Sequence, residues 1–186
     1  FVLAGWGPML HELSDPYLNH PDPKLFTTVL VRVETEEGPV YLGDQDQYGE
    51  LGATYYNGRP GLDLDSGEII TIRALSDEFV GHDRMEIDIV LEADGAALIT
   101  SRMYYHGTEL GEFRGDFTEM LPEERRREFL DMAASYGQSA EIQGEVTTKY
   151  EAHPGVRELT VRVPDFAVRQ GEYLYMNLPG IVSGMN

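Results

Sequence analysis

Oxygen donors are the residues of this 186-residue chain best suited to chemistry. Asp and Glu number 33 against 14 Lys and Arg, which gives a formal charge of −19, and cysteine is absent. Without a thiol there is no cysteine nucleophile, no disulfide framework and no cysteinyl zinc or iron–sulfur site. The charge opposes any role that rests on attraction to a phosphate backbone, so no nucleic-acid partner is expected. No cofactor is expected either, because the chain carries neither G-x-G-x-x-G nor G-x-x-x-x-G-K. Serine chemistry lacks its G-x-S-x-G elbow, and Ser66, within Asp65-Ser66-Gly67, has no strand-to-helix context.

Two groups of acids invite a test for metal binding. Asp63, Asp65 and Gly67 form a D-x-D-x-G fragment. A calcium loop of the EF-hand type needs an acid or amide at its fifth position, Gly at its sixth and Glu at its twelfth. Gly67 holds the fifth position and Ala74 the twelfth, so the pattern fails. Asp63 and Asp65 then read as the solvated face of a strand. Asp44 and Asp46, within Gly43-Asp44-Gln45-Asp46-Gln47-Tyr48, are a slightly better oxygen cluster, and a turn rich in side-chain-to-backbone bonds is the preferred explanation for them. Tyr48, Tyr55, Tyr56 and Arg59 share the same loop, 43–61. Tyrosines stack on sugar rings and also anchor loops to sheets. The loop is therefore a candidate glycan or divalent-ion site through Asp44, Asp46, Tyr48 and Arg59. His11, His20, His82, His106 and His153 form no i, i+4 or H-x-H pair, so no metal centre is expected from them. A carboxylate pair could drive glycoside hydrolysis. The acids here are too numerous to name one.

The elements that must hold these residues are mostly strands. Prolines 8, 16, 21 and 23, with Gly5 and Gly7, predict an irregular arm over the first 25 residues. Its apolar members Phe1, Leu3, Trp6, Met9 and Leu10 need a surface to cover them. Val29, Val31 and Val33 alternate with Leu30 and Arg32, and Glu36-Glu37-Gly38 turns the chain into Pro39-Val40-Tyr41-Leu42, a β-hairpin. A strand follows over 69–73. Met85, Ile87, Ile89 and Leu91 share one face of the next strand, and Asp94-Gly95 closes the hairpin 84–105. Residues 107–117 read as continuing in extended form.

One helix is expected near 122–136. Pro122 suits a first turn and Glu123 and Glu124 its positive end. Phe129, Met132, Ala133 and Tyr136 keep helical spacing, and Gly137 can terminate it. Arg125-Arg126-Arg127 is the only basic run; flanked by Glu123, Glu124 and Glu128, it reads as a solvated, ion-paired face. Ile142, Val146, Thr148 and Tyr150 predict a long strand broken at Gly144. Leu159, Val161 and Val163 should face inward in another, and a last strand lies near 172–176. The fold class is mainly β: an antiparallel β-sandwich-like module over 76–186 with one covering helix, preceded by an arm and β-hairpin segment over 1–75.

One stretch resembles a known family. Leu25-Phe26-Thr27-Thr28-Val29-Leu30-Val31-Arg32-Val33, then Val40-Tyr41-Leu42-Gly43-Asp44 through Gly52, then Asn57-Gly58-Arg59-Pro60-Gly61-Leu62-Asp63-Leu64, is similar to the end of the transglutaminase-like, papain-related core of large bacterial proteins. The resemblance implies a degenerate core end followed by a β-rich C-terminal module. Active members use a Cys nucleophile, a His base on the next strand and an Asp that orients it, because a thiolate needs an adjacent base in a fixed tautomer. By motif the His position falls on Thr28, and the Asp position on Gly43, or on Asp44 if the turn shifts by one. A threonine hydroxyl is no base near neutral pH. The Cys helix would lie upstream of Phe1.

Together these readings lead to a non-catalytic, structural or protein-interaction portion of a larger transglutaminase-like protein. Its partner is a protein, with the upstream domain of its own parent chain as one candidate and basic surfaces favoured. The start at Phe1, with no basic stretch ahead of an apolar one, is read as a cut from something longer. No apolar run reaches the roughly 18 to 20 residues of a membrane helix, so no insertion by this segment is expected. Periplasm, cell surface and cytoplasm all remain compatible.

Overall fold

The computed structural model describes residues 1–5, 23–44 and 47–176. The chain is mainly β, with antiparallel sheets, and divides into two compact units. One contains Phe1–His82 and Tyr105–Gly115, the other Asp83–Tyr104 and Asp116–Asn186.

The first unit is built on a five-stranded sheet in the order β3-β2-β1-β4-β5. Its strands are β1 (Val2–Gly5), β2 (Phe26–Thr35), β3 (Gly38–Leu42), β4 (Pro60–Asp63) and β5 (Ile69–Thr71). The expected hairpin forms, with Val31 opposite Leu42 and Val33 opposite Val40. The irregular arm is corrected at its start. Val2–Gly5 is a strand, and the central one, paired with β2 on one side and β4 on the other. Val2 and Ala4 alternate inward, where Leu30, Tyr41 and Ile72 complete the core. Trp6, Met9 and Leu10 lie outside the described residues. Gly61 of β4 shows how tightly this core is filled: a Cβ there would lie 2.7 Å from Val2 Cγ1 and 2.9 Å from Ile72 Cγ1.

The second unit carries another five-stranded sheet. Its strands are β6 (His82–Leu91, whose first residue belongs to the first unit), β7 (Ala97–His106, whose last two residues belong to the first unit), β8 (Glu141–Ile142), β9 (Thr147–Lys149) and β10 (Gly155–Val163). The order is β6-β7-β10-β8, with β9 also on β10. Gly95, at a φ of 94°, makes the turn between β6 and β7 as its sequence predicts. The long strand expected over 142–150 is two short ones. Ile142 faces Val161 and Thr148 faces Arg157, with Gly144 at a φ of 76° breaking the lane between them. Leu159, Val161 and Val163 face inward as expected, against Ala97, Ile99 and Ala133. A two-stranded ribbon, β11 (Ala167–Gln170) with β12 (Tyr173–Met176), ends the described chain.

Two helices occur among the described residues: α1 (Gly107–Glu119) and α2 (Pro122–Tyr136). The second is the expected one. The first corrects the extended reading of 107–117. Gly107 switches strand to helix at a φ of 54°, where a Cβ would come within 2.3 Å of Phe79 O, so no other residue fits that corner. Beyond it, Leu110, Phe113 and Phe117 are buried at i, i+3 and i+7.

Candidate functional site

The loop that follows β3 is held by helix α1 within the first unit. Gly111 and Gly115 stand one turn apart on that helix and give the loop backbone room. A Cβ at Gly111 would lie 3.2 Å from Gly49 Cα, and one at Gly115 would lie 3.1 Å from the Tyr48 ring. Arg114 then donates to Glu50 at 2.9 Å, an ion pair with both side chains largely out of water. Further on, Thr54 is buried and its hydroxyl accepts from Tyr56 N. Asn57 Oδ1 accepts from Ala74 N at 2.9 Å. The Arg59 guanidinium lies 5.3 Å above the Tyr56 ring.

These contacts place the residues singled out from the sequence. Tyr48 is half-buried against α1, as a loop anchor would be. Arg59 is brought to Tyr56. Asp44 is an exposed turn residue, and Asp46 lies outside the described residues. Thr28 sits on β2 opposite Ala4, while Gly43 directly follows Leu42, whose partner is Val31. Thr28 thus lies on β2 and Gly43 just past the end of the strand paired with it. His82 and His106, at the open end of the β6–β7 hairpin, stack with ring centroids 4.3 Å apart. Among the described residues no three His, Cys, Asp or Glu side chains converge as a metal site would require.

Asp63 is the residue whose role the sequence pattern misplaced. The expected solvated position is buried, with 8% of its surface exposed. Its Oδ1 accepts from Asp65 N at 2.9 Å, and its Oδ2 accepts from Arg32 at 3.0 Å. These backbone bonds, with the guanidinium beside them, hold its carboxyl below the usual carboxylate range. Arg32 also reaches Glu34 at 2.6 Å and stands opposite Tyr41. Burial pushes the Tyr41 phenol up. The group ties β2 to β4.

The other face of the same sheet is apolar: it is covered at Val40, half-buried at Leu3, Leu62 and Ile69, and open along β2. Directly opposed residues of antiparallel strands share a face, and the registers align Ile69 with Leu62, Leu62 with Leu3, and Leu3 with Val29. Val31 with Leu42, and Val33, extend the row. Val29, Val31 and Val33 are 56%, 43% and 39% exposed, and Leu42 and Leu64 are exposed too. Acids gather at one end of this face. The turn after β2 carries Glu36 and Glu37, and the turn after β4 carries Asp65 and Glu68. Because β2 and β4 both pair antiparallel to β1, both turns leave the sheet at the same end.

In the second unit, outward strand positions form an ion-paired lattice. Arg102 bridges Glu158 and Asp88, Arg162 reaches Glu92 at 2.7 Å, and Tyr104 donates to Glu86 at 3.0 Å. On α2, Arg126 pairs with Glu123 as expected of a solvated face. Arg125 instead lies 5.4 Å over the Phe117 ring and donates to Phe117 O. Among the described residues no helix is long and apolar enough to cross a membrane. Comparison with known proteins finds no matching family model, no matching curated protein and no matching solved structure.

Proposed function

We propose that this chain is a non-catalytic protein-interaction module whose first unit offers the open face of its sheet to a protein partner. The observation that carries the reading is the in-register row of Val29, Val31, Val33, Leu3, Leu42, Leu62 and Ile69, apolar on the side away from the unit's core. Contiguous exposed apolar surface rimmed by polar residues is characteristic of interaction sites. The acidic end of the face favours a partner with basic residues beside its apolar contact, since complementary charge steers encounter and fixes orientation. In the same proposal, β2 and β3 correspond to the last strands of a transglutaminase-like core that has lost its base at Thr28. The partner is then a neighbouring domain or a separate protein.

A benzophenone side chain introduced at Val31 in the protein as its source cell makes it tests this directly. Irradiation should join it to a protein segment outside residues 1–186, and raised ionic strength during irradiation should lower the yield. Products confined to this chain's own residues would overturn the reading.

A further inference from the structure

Asn57 is the only asparagine of the chain that is followed by glycine. That pair is the most prone to deamidation, because no Cβ on the second residue hinders attack by its backbone nitrogen on the asparagine amide. Here the fold demands the pair. Tyr56-Asn57-Gly58-Arg59 is a β-turn closed by Arg59 N, which donates to Tyr56 O at 2.9 Å. Its third residue has a φ of 79°, a value that calls for Gly. The Asn57 side chain ties the turn down, with Oδ1 accepting from Ala74 N at 2.9 Å. Both reacting groups are therefore engaged. Gly58 N, the nucleophile, donates to Ile72 O at 2.8 Å, and Ile72 N donates back to Arg59 O at 2.9 Å. Ile72 is fully buried, so its carbonyl stays with the core when the exposed turn moves. An N–H held by a carbonyl gives up its proton less readily, and a side chain held at Oδ1 is not free to turn its Cγ onto Gly58 N.

We propose that Asn57 is a modification site gated by this turn: closed while the bonds to Ile72 and Ala74 hold, and converted to aspartate and isoaspartate when they open. Once released, Gly58 N attacks Asn57 Cγ. The Cγ–Nδ2 bond breaks, ammonia leaves with the proton given up by Gly58 N, and a succinimide remains. Solvent water then opens that ring at either carbonyl. One product is aspartate, whose carboxylate still suits the Ala74 N–H. The other is isoaspartate, which runs the main chain through the former side chain and adds a carbon to it, so the turn no longer recloses in register. Either product adds one negative charge. The conversion is one-way, and a transient opening is thus kept as a covalent change. The same turn carries the Arg59 guanidinium over the Tyr56 ring, a contact that isoaspartate at position 57 would break. The site stands apart from the open sheet face.

Two rates measured on the same protein provide the test. Deamidation of Asn57 is followed by peptide mass spectrometry at mildly alkaline pH, in the native chain and in guanidinium chloride. Hydrogen exchange of the Gly58 amide is measured in the native chain at the same pH. The native deamidation rate should lie at least about tenfold below the unfolded one. The reduction should match the protection of the Gly58 amide, because one opening gates both reactions. Ala74→Pro removes the donor to Asn57 Oδ1 and should speed native deamidation by about fivefold, the worth of one hydrogen bond. Equal rates in the native and unfolded chains would overturn the proposal. So would native deamidation faster than the protection of Gly58 allows, since Asn57 would then react without opening. An unchanged rate in a folded Ala74→Pro would equally sink it, and where that variant does not fold the two wild-type rates decide alone.

Discussion

Asp63 shows how much the environment of one carboxylate decides. In the sequence it belongs to Asp63-Leu64-Asp65, an alternation that reads as a solvated strand face. The structure inverts the phase. Leu62 and Leu64 turn outward, Asp63 turns inward, and it survives there because two backbone N–H groups and the Arg32 guanidinium meet its oxygens. Alternation alone cannot reveal this, because it gives the period of a strand and not which phase faces the core. The misreading and the open apolar face have one cause: this sheet keeps an ion pair inside and valines outside.

A pH dependence follows from the direction of the Asp63 shift. Its folded carboxyl titrates below the ordinary unfolded value of about 3.9. The unfolded chain therefore takes up the proton first as pH falls, and the stabilisation is present above that value and lost through the lower folded one. Denaturant unfolding of wild type and Asp63→Asn between neutral and strongly acidic pH should show a stability gap that is constant above about pH 5 and closes below about pH 4. A gap independent of pH would assign the effect to shape alone.

At the scale of elements, the hairpins were legible and the exceptions were glycine-rich or short. Val29 to Leu42 and Met85 to Tyr105 announce themselves by alternation around strong turns. β1 was hidden by its length of four residues, its small Ala4 and Gly5, and the prolines that follow it. α1 was hidden by Gly107, Gly111 and Gly115, each costing about 1 kcal/mol of intrinsic helix preference. Their four-residue spacing was itself a signal, since small residues at that interval leave one helix face bare for close approach. That face is where Tyr48 and Gly49 sit, so the helix and the ordering of the candidate loop have a common origin. Asp44 and Arg59 of that loop were identified from residue type, but the anchoring of Tyr48 depended on a helix the sequence did not announce.

α2 offers a test at this scale. Its N-cap is Leu121, whose side chain has no acceptor, and only the reciprocal bond exists, from Leu121 N to Glu124 Oε2 at 2.9 Å. Leu121 is 63% exposed, so replacing it removes little buried surface. Leu121→Ser should complete the box and stabilise the protein by about 1 kcal/mol. Thermal unfolding should shift upward by about 2–4 °C. A lowered midpoint would mean that the leucine is covered by a contact worth more than the cap.

For the whole molecule, the charge of −19 and the open sheet face have to be considered together. An apolar row of this extent invites association between copies, and at neutral pH the mutual repulsion of acidic chains opposes it. That repulsion vanishes near the sequence pI of about 4.4, while Asp63, titrating lower still, keeps β2 and β4 tied. There is consequently a window, above the acid transition and close to the pI, in which the fold persists and the electrostatic barrier does not. Sedimentation velocity should show monomer at pH 7 and reversible self-association near pH 4.5, with unfolding probes unchanged between them. Val29→Thr with Val31→Thr keeps β-branched side chains on β2 and should suppress the association while leaving the pI where it is. If the double variant associates like wild type, the contact lies elsewhere, and the exposed ribbon of β11 and β12, with Val168, Tyr173 and Tyr175 in solvent, becomes the surface to test. Association already present at pH 7 would instead show that the charge is too dispersed to guard the face, and would remove its role in partner selection along with its role in keeping the chains apart.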